Sequence, residues 1–366
     1  MRRRDGLLGS MRVWVLAGLV AGGAGIAWAI AGWSATSRPV YERGSIYVVS
    51  AAGGRTEAVT HDAKNHQGVF WSPDSKYLVD AADAGVEVRD RDGHLLHEAA
   101  TPPNSVMARA AWAPVGHGFA YTVASDNGQT VSGGLYVVFG SKRARELAPL
   151  ATGLPSWSPD GRHLAFIEGL LAGTGPARGQ GCGPATKFAN LAVVSVDGST
   201  RTRLVCNIVS VDDVEWSPTR DQILYAVAAR DGQRSLWVAA LGRPRPRRLV
   251  DGFLDLSARW SPDGRRVALS ATRGPTDHHV YIVSARGGRV RQLGPWPTTN
   301  LAWSPDSRLL AITNPGSATD QLLSVNPDTG TIRLITELTG REITSLDWSR
   351  DGQRLALTAQ TPKPQD

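Results

Sequence analysis

Nothing between residues 41 and 360 repeats with the 3.6-residue period of an amphipathic helix, which excludes a bundle or a helical solenoid. The chain also lacks a Gly-x-Ser-x-Gly elbow, an H-E-x-x-H pair, a C-x-x-C pair and a G-x-x-x-x-G-K-[ST] loop. The usual local signatures of a serine hydrolase, a zinc peptidase, a thiol redox enzyme and a P-loop nucleotide site are therefore absent. Cysteine is nearly absent too, with only Cys182 and Cys206 among 366 residues. No cysteine precedes Cys182, so an N-terminal lipidated cysteine is excluded. Acidic charge is scarce at the start of the chain: residues 1–40 hold Arg2, Arg3, Arg4, Arg12 and Arg38 against Asp5 alone. That +4 segment accounts for most of the formal charge of +7, leaving +3 on the rest. A basic run at Arg243, Arg245, Arg247 and Arg248 reads as a solvated loop face, and no nucleic-acid partner is expected.

What is present is a repeat. W-S-P-D-S occurs at Trp71, W-A-P-V-G at Trp112, W-S-P-D-G at Trp157 and W-S-P-T-R at Trp216. W-S-P-D-G recurs at Trp260, W-S-P-D-S at Trp303 and W-S-R-D-G at Trp348. The intervals of 41, 45, 59, 44, 43 and 45 residues match one four-stranded propeller blade each. In each repeat a first strand ends at the tryptophan, proline and glycine shape a tight turn, and a Leu/Val-Ala strand follows. A β-branched third strand comes next, such as Val280-Tyr281-Ile282-Val283. The fourth often carries arginine before an apolar pair, as in Arg203-Leu204-Val205, Arg248-Leu249-Val250 and Arg333-Leu334-Ile335.

The ends of the array complement each other. Third- and fourth-strand patterns precede the first motif (Ile46 to Val49, then Ala58 to Thr60), and only first- and second-strand patterns follow the last. The expectation is an all-β, seven-bladed propeller over residues 44–360, with the last blade closed by strands from both termini so that no sheet edge is left between first and last blades. The seven motif tryptophans are read as structural, burying area between blades.

Residues 13–33 carry no charged side chain and are long enough to span a hydrocarbon core of ~30 Å as a helix. With the basic residues 1–12 before it, this segment is expected to be a transmembrane anchor that places everything after a 34–43 linker outside the cytoplasm. A cleaved signal sequence ending near Ala27-Trp28-Ala29 is the alternative, and both export the propeller. Residues 361–366 form a short C-terminal tail.

The W-S-P-D-G repeats, each followed by a Leu/Val-Ala strand and an Ile-Tyr-Val-Val-type strand, resemble the WD-like propeller repeats of the TolB family. The resemblance covers residues 44–360. It implies an exported propeller that binds other envelope proteins or peptides without catalysis. That pattern also has an α/β domain before its propeller, for which the dozen or so residues between Trp33 and Ile46 leave no room. Similar repeats form the propellers of prolyl-oligopeptidase-type peptidases, whose hydrolase domain has no counterpart expected here.

In a propeller the blade-to-blade connections and the second-to-third-strand loops share one rim of the central channel, opposite the short W-S-P-D-G turns. The candidate partner-binding residues on that long-loop rim are His61, His66, Asp277, His278, His279 and Trp296, together with an insertion at 169–187. No cofactor or bound metal is expected. The alternative is a propeller enzyme, a metal-assisted lyase or hydrolase, using these histidines and acids at the channel mouth.

In an exported chain the two lone cysteines are expected to pair, tying the insertion to the fourth strand of its own blade. Thiol labelling of the denatured, unreduced protein is then expected to find no free thiol. Two labelled cysteines exclude the bridge.

Overall fold

The computed structural model describes residues 44–361 apart from 63, 84, 103–104, 127–130, 141–142, 170–188, 209–210, 230, 244, 275–277, 299 and 317–318. The 13–33 segment, Cys182, Asp277 and nearly all of the insertion thus lie outside the described residues. Within them no helix is long and apolar enough to cross a membrane, and no free cysteine occurs.

Twenty-eight strands form seven antiparallel four-stranded sheets. The chain enters through β1 (Ser45–Ser50) and β2 (Glu57–Ala58). Blade I is β3 (Gln67–Trp71), β4 (Tyr77–Ala82), β5 (Gly85–Asp90) and β6 (Leu95–Ala100). Blade II is β7 (Ser105–Trp112), β8 (Gly118–Asp126), β9 (Val131–Phe139) and β10 (Arg145–Pro149). Blade III is β11 (Ala151–Trp157), β12 (His163–Glu168), β13 (Ala189–Ser195) and β14 (Arg201–Ile208). Blade IV is β15 (Val211–Trp216), β16 (Gln222–Ala228), β17 (Arg234–Ala240) and β18 (Arg247–Phe253). Blade V is β19 (Asp255–Trp260), β20 (Arg266–Thr272), β21 (His278–Ser284) and β22 (Arg291–Gly294). Blade VI is β23 (Leu301–Trp303), β24 (Leu310–Asn314), β25 (Thr319–Val325) and β26 (Ile332–Thr339). The chain ends with β27 (Glu342–Trp348) and β28 (Arg354–Gln360), which pair with β1 and β2 in the order β2-β1-β28-β27 to make blade VII. The shared blade is thus as the repeat pattern requires. Its register is continuous from Ser45 opposite Ala359 to Ser50 opposite Arg354.

Alternation along each strand puts one row of apolar side chains on each face, and neighbouring blades bury these rows against one another. Seven clusters result, one per junction. Between blades I and II, for example, Val79, Val86 and Val88 meet Phe119, Tyr121 and Val123. Across the closing junction Ile46, Val48 and Ala356 meet Val69, Trp71 and Leu78.

The motif tryptophans do more than fill these clusters. The indole N–H of Trp112 donates to the Phe70 carbonyl at 3.0 Å, and that of Trp157 to Ala111 at 3.0 Å. Trp260 and Trp303 repeat the contact on Glu215 (3.3 Å) and Arg259 (3.2 Å). In each case the acceptor is the residue just before the preceding blade's tryptophan. Where the indole lacks this partner, other inner-strand groups tie the blades: the Trp216 backbone N–H donates to Ser156 Oγ at 2.7 Å, and that of Trp71 to Asp347 Oδ2 at 2.8 Å. At the junction of blades VI and VII, Asn300 Nδ2 donates to the Ile343 carbonyl at 2.9 Å. Every junction therefore carries at least one such bond.

A second belt runs round the periphery. Arginines at the start of the fourth strands reach main-chain carbonyls in the outer turn of the next blade. Arg145 donates to Val196 and Asp197, Arg247 to Ala285 and Arg286, Arg291 to Pro327, and Arg333 to Ala52. Of the arginines read before apolar pairs in the sequence, Arg333 alone does this; Arg203 pairs with Glu168 and Arg248 with Asp251. In the short inner turns the motif serine donates to the motif aspartate at 2.6–2.7 Å in five repeats. That bond and the backbone amide two residues on hold Asp160 and Asp306 below the usual carboxylate range.

The indole Nε1 atoms of Trp71, Trp216 and Trp348 are buried and find no acceptor among the described residues. Replacing a bonded indole should therefore cost more than replacing an orphaned one, by about 1 kcal/mol for the hydrogen bond. Trp157→Phe is expected to lower urea stability by that much more than Trp348→Phe. Equal losses would show that the indole bond contributes nothing to the ring.

Candidate functional site

Two groups of charged side chains stand out, and of the rim residues singled out in the sequence only His66 belongs to either. The first is carried by the inner strands that ring the channel, at the positions one and three before the tryptophan. In blades II, IV, V and VII one or both of these are charged: Arg109, Asp213, Glu215, Arg259 and Asp347. A bulge in β15 between Asp212 and Glu215, with Asp213 at φ 49°, turns that carboxylate so that Oδ1 lies 3.6 Å from Arg259 Nη1 of the next blade. Arg109 is accessible to solvent yet ringed by protein. Lost hydration lowers its pKa, with Asp213 opposing that shift and Arg259 adding to it. Blades II, IV and V thus meet electrostatically across the channel. Arg350, which stands where five of the other motifs have proline after the serine, reaches the same field, acting on Glu215 and Asp347.

Glu215 is held far above its ordinary value. Burial pushes its carboxyl up to about 7, with Asp213 adding and Arg259, Arg350 and the Trp260 N–H opposing. Its Oε2 accepts that N–H at 2.9 Å, so the side chain has a structural bond as well as a titrating one.

The second group lies at the seam between blade VII and blade I, on the face of blade I that packs against the closing blade, with Asp80, Glu87, His66 and Arg89 buried. Asp80, Glu87 and Glu98 stand opposite one another on β4, β5 and β6. Over them runs the 59–66 connection, which brings Asp62, Lys64 and His66. His66 Nδ1 lies 2.5 Å from Asp80 Oδ2 and Nε2 lies 2.9 Å from Asp62 Oδ1. Both ring nitrogens face carboxylates, which suits an imidazolium donating twice. Burial opposes charge on His66, but the hydrogen bonds and negative charge of Asp80 and Asp62 outweigh it and raise its pKa. Burial likewise raises Asp80. Lys64 pairs with Glu87 and Glu98, while Arg89 bridges Glu87 (2.5 Å) and Asp62 (2.6 Å). The connection also secures the chain's entrance: Gly44 N–H donates to Asn65 Oδ1 and the His66 N–H to the Gly44 carbonyl. Ligand atoms of Asp62, His66 and Glu87 lie within 4.8 Å of one another. Lys64 and Arg89 already occupy those carboxylates, so the group is a filled ion-pair network.

The remaining rim residues are dispersed. His61 is exposed, and His66 is the seam histidine just described. His278 bridges Ser270 Oγ (2.8 Å) and Thr272 Oγ1 (2.9 Å) across β20 and β21, and His279 lies beside the Tyr281 ring at 6.0 Å. Trp296 is only 9% exposed and packs with Ile282, Leu301 and Trp303 between blades V and VI. The fold thus brings His66 to Asp62 but leaves His278 and His279 on blade V, with Trp296 in the core. A shallow hollow of about 570 Å³ sits apart from all of these, beside the truncated β2, lined by Val48 to Ala52, Arg55, Glu57 and Gly352 to Arg354. The channel charges were missed because their signal is columnar. It appears only when the positions before successive tryptophans are read against one another.

The family model described as TolB beta propeller domain matches residues 182–365. The chain belongs to the TolB β-propeller family. Among curated relatives, the "Uncharacterized peptidase YuxL" of Bacillus subtilis (strain 168) is 26% identical over 169 residues, covering 42% of this chain and 24% of that protein. The chain therefore spans about a quarter of that relative's length. A TolB-type structure from Agrobacterium tumefaciens superposes with a TM-score of 0.53 at 16% identity, covering 88% of this chain and 99% of that one. An oligogalacturonate lyase in complex with manganese gives 0.55 at 12% identity, covering 84% and 80%. At such identities these structures establish the TolB-type propeller fold alone.

Glu215 generates a pH prediction. An acid whose pKa is raised in the fold binds more protons folded than unfolded between pH 4.5 and about 7, so its contribution to stability falls as pH rises through that window. Glu215→Gln keeps an acceptor for Trp260 and removes the titration. Its melting temperature is expected to match the parent's near pH 4.5 and to exceed it at pH 7.5. Parallel pH profiles would show that Glu215 titrates normally.

Proposed function

We propose that this TolB-type propeller is displayed outside the cytoplasmic membrane on its N-terminal segment and binds a protein or peptide of the cell envelope without catalysis. The observation that carries the reading is the channel. Arg109, Asp213, Glu215, Arg259, Asp347 and Arg350 offer donors and acceptors of both signs from four blades, suited to a polar segment and not to one small apolar ligand. Topology adds support. Gly44 and Thr361 both lie on the long-loop rim, since β1 starts there and β28 ends there. A tether at residues 13–33 holds that rim toward the membrane, with His61, His278, His279 and the 169–187 insertion around the mouth. The proposed Cys182–Cys206 bridge fastens that insertion to β14.

The competing reading is metal-assisted lyase or hydrolase chemistry. The names of the peptidase relative and the lyase structure motivate it. Its nearest local support, Asp62, His66 and Glu87, is already neutralised by Lys64 and Arg89, which weighs against a divalent cation there.

The test is co-purification of the full chain from crosslinked, solubilised envelope, set against an Arg109→Ser, Asp213→Asn variant. Asparagine tolerates the left-handed backbone at position 213, so the variant is expected to melt like the parent. One abundant partner, reduced about tenfold in the variant as the loss of a charged contact implies, supports a partner site at the channel. Equal recovery moves the site off the channel. No partner with either protein defeats the binding reading.

A further inference from the structure

The arginine run in blade IV does not stand alone in three dimensions. It occupies the β17–β18 turn and the start of β18, and the next blade's equivalent turn, between β21 and β22, carries Arg286 and Arg289 and leads into Arg291. Arg247 stitches the two together through the Ala285 and Arg286 carbonyls, at 2.8 and 3.2 Å. The turns approach so closely that a side chain at Gly287, where φ is +88°, would meet Arg247 Nη1 at 3.2 Å. Arg243, Arg245, Arg247, Arg286, Arg289 and Arg291 are all exposed, and none has an acidic partner among the described residues. Arg248 alone of this group is paired, with Asp251 at 2.8 Å.

Blade II also has a basic turn, with Arg143 and Arg145, but no such neighbour: blades IV and V are the adjacent pair whose turns both carry arginine and no acid. The corresponding outer turns of blades I, III and VI carry Asp92, Asp197 and Asp328. Solvated charge needs no such arrangement, because six like charges held side by side repel one another. The bracing by Arg247 uses backbone oxygens, which fixes the guanidinium without neutralising it.

We infer that this six-arginine face on blades IV and V is a docking surface for an acidic segment of a partner protein, recognised through guanidinium–carboxylate pairs. The inference rests on the reading of the propeller as a partner-binding module and adds the chemistry of one contact. The face lies on the short-turn rim, whereas the chain enters and leaves on the opposite one. It therefore points away from whatever residues 1–43 attach to, which favours a partner protein over the lipid surface. The free outer edge of β18 beside the patch also offers main-chain groups to an extended peptide.

The probe is a fluorescent poly-glutamate peptide titrated against the full chain in neutral detergent. The variant is Arg243→Ser, Arg245→Ser, Arg286→Ser, Arg289→Ser, which spares the bracing Arg247 and Arg291. The control is Arg55→Ser, Arg162→Ser, Arg220→Ser, Arg308→Ser, which removes the same charge from exposed positions on the same rim. The expected result is binding that weakens with salt and drops about tenfold or more in the variant but not in the control. Equal losses in variant and control, or no binding by the parent, would overturn the assignment. Tighter, patch-dependent binding to phosphatidylglycerol vesicles than to the peptide would overturn it in favour of lipid. The Arg109→Ser, Asp213→Asn variant should bind the probe like the parent, so failure at the patch and failure at the channel are read separately.

Discussion

A ring of twisted blades has one recurring problem: the innermost strand of every sheet has a free edge, and its N–H and C=O groups lie where water is scarce. This protein meets it at each junction with a bond from one inner strand to the next, most often from an indole to the carbonyl just before the preceding tryptophan. The bond fixes the angle between blades as well as satisfying an edge. The side chain of the residue before the tryptophan is thereby set beside the next blade, where Glu215 and Asp347 accept backbone N–H groups and Phe70 and Ala111 pack. The spacing that builds the ring therefore also decides which side chains meet the next inner strand.

Closure concentrates risk at one place. Five junctions join blades made of continuous chain; the other two flank the shared blade, and the one with blade I brings together inner strands more than 270 residues apart. It is there that the partly buried network of Asp62, Lys64, His66, Asp80, Glu87, Arg89 and Glu98 is found, with His66, Asp80, Glu87 and Arg89 enclosed. Four carboxylates face two permanent cations, and a protonated His66 supplies the third positive charge. Buried ion pairs stabilise little compared with an apolar core, but they penalise misplacement severely. A seam that must not slip in register suits that property.

The architecture was legible because it is periodic. Seven tryptophans at blade spacing, and half a blade of pattern at each end, are enough for strand order and closure. The bracing arginines were only partly visible: Arg333 stood in the recurring pattern, but Arg145 and Arg247 did not, and the carbonyls they reach belong to a turn about 40 to 50 residues on or, for Arg333, to the opposite end of the chain. Convergence across the ring was harder still. Asp213 looks like half of an uninformative acidic pair until a bulge turns it toward Arg259. Trp296, between two prolines, has the sequence appearance of a rim aromatic, yet its ring completes the packing of two blades. His66 was selected as a loop histidine, and it proves to be almost wholly enclosed.

The direction of β1 has a mechanical meaning. Gly44 lies at the rim end of that strand, and the strand is held to β28 by a ladder of six residue pairs whose hydrogen bonds run across the chain direction. A pull on Gly44 away from that rim loads the whole ladder in shear, and the pairs share the force. A pull that separates Gly44 from Thr361, which end side by side, peels the same pairs apart one after another. The ring is thus fastened like a buckle: firm against a pull along β1 at Gly44, and weak only to a force that parts Gly44 from Thr361.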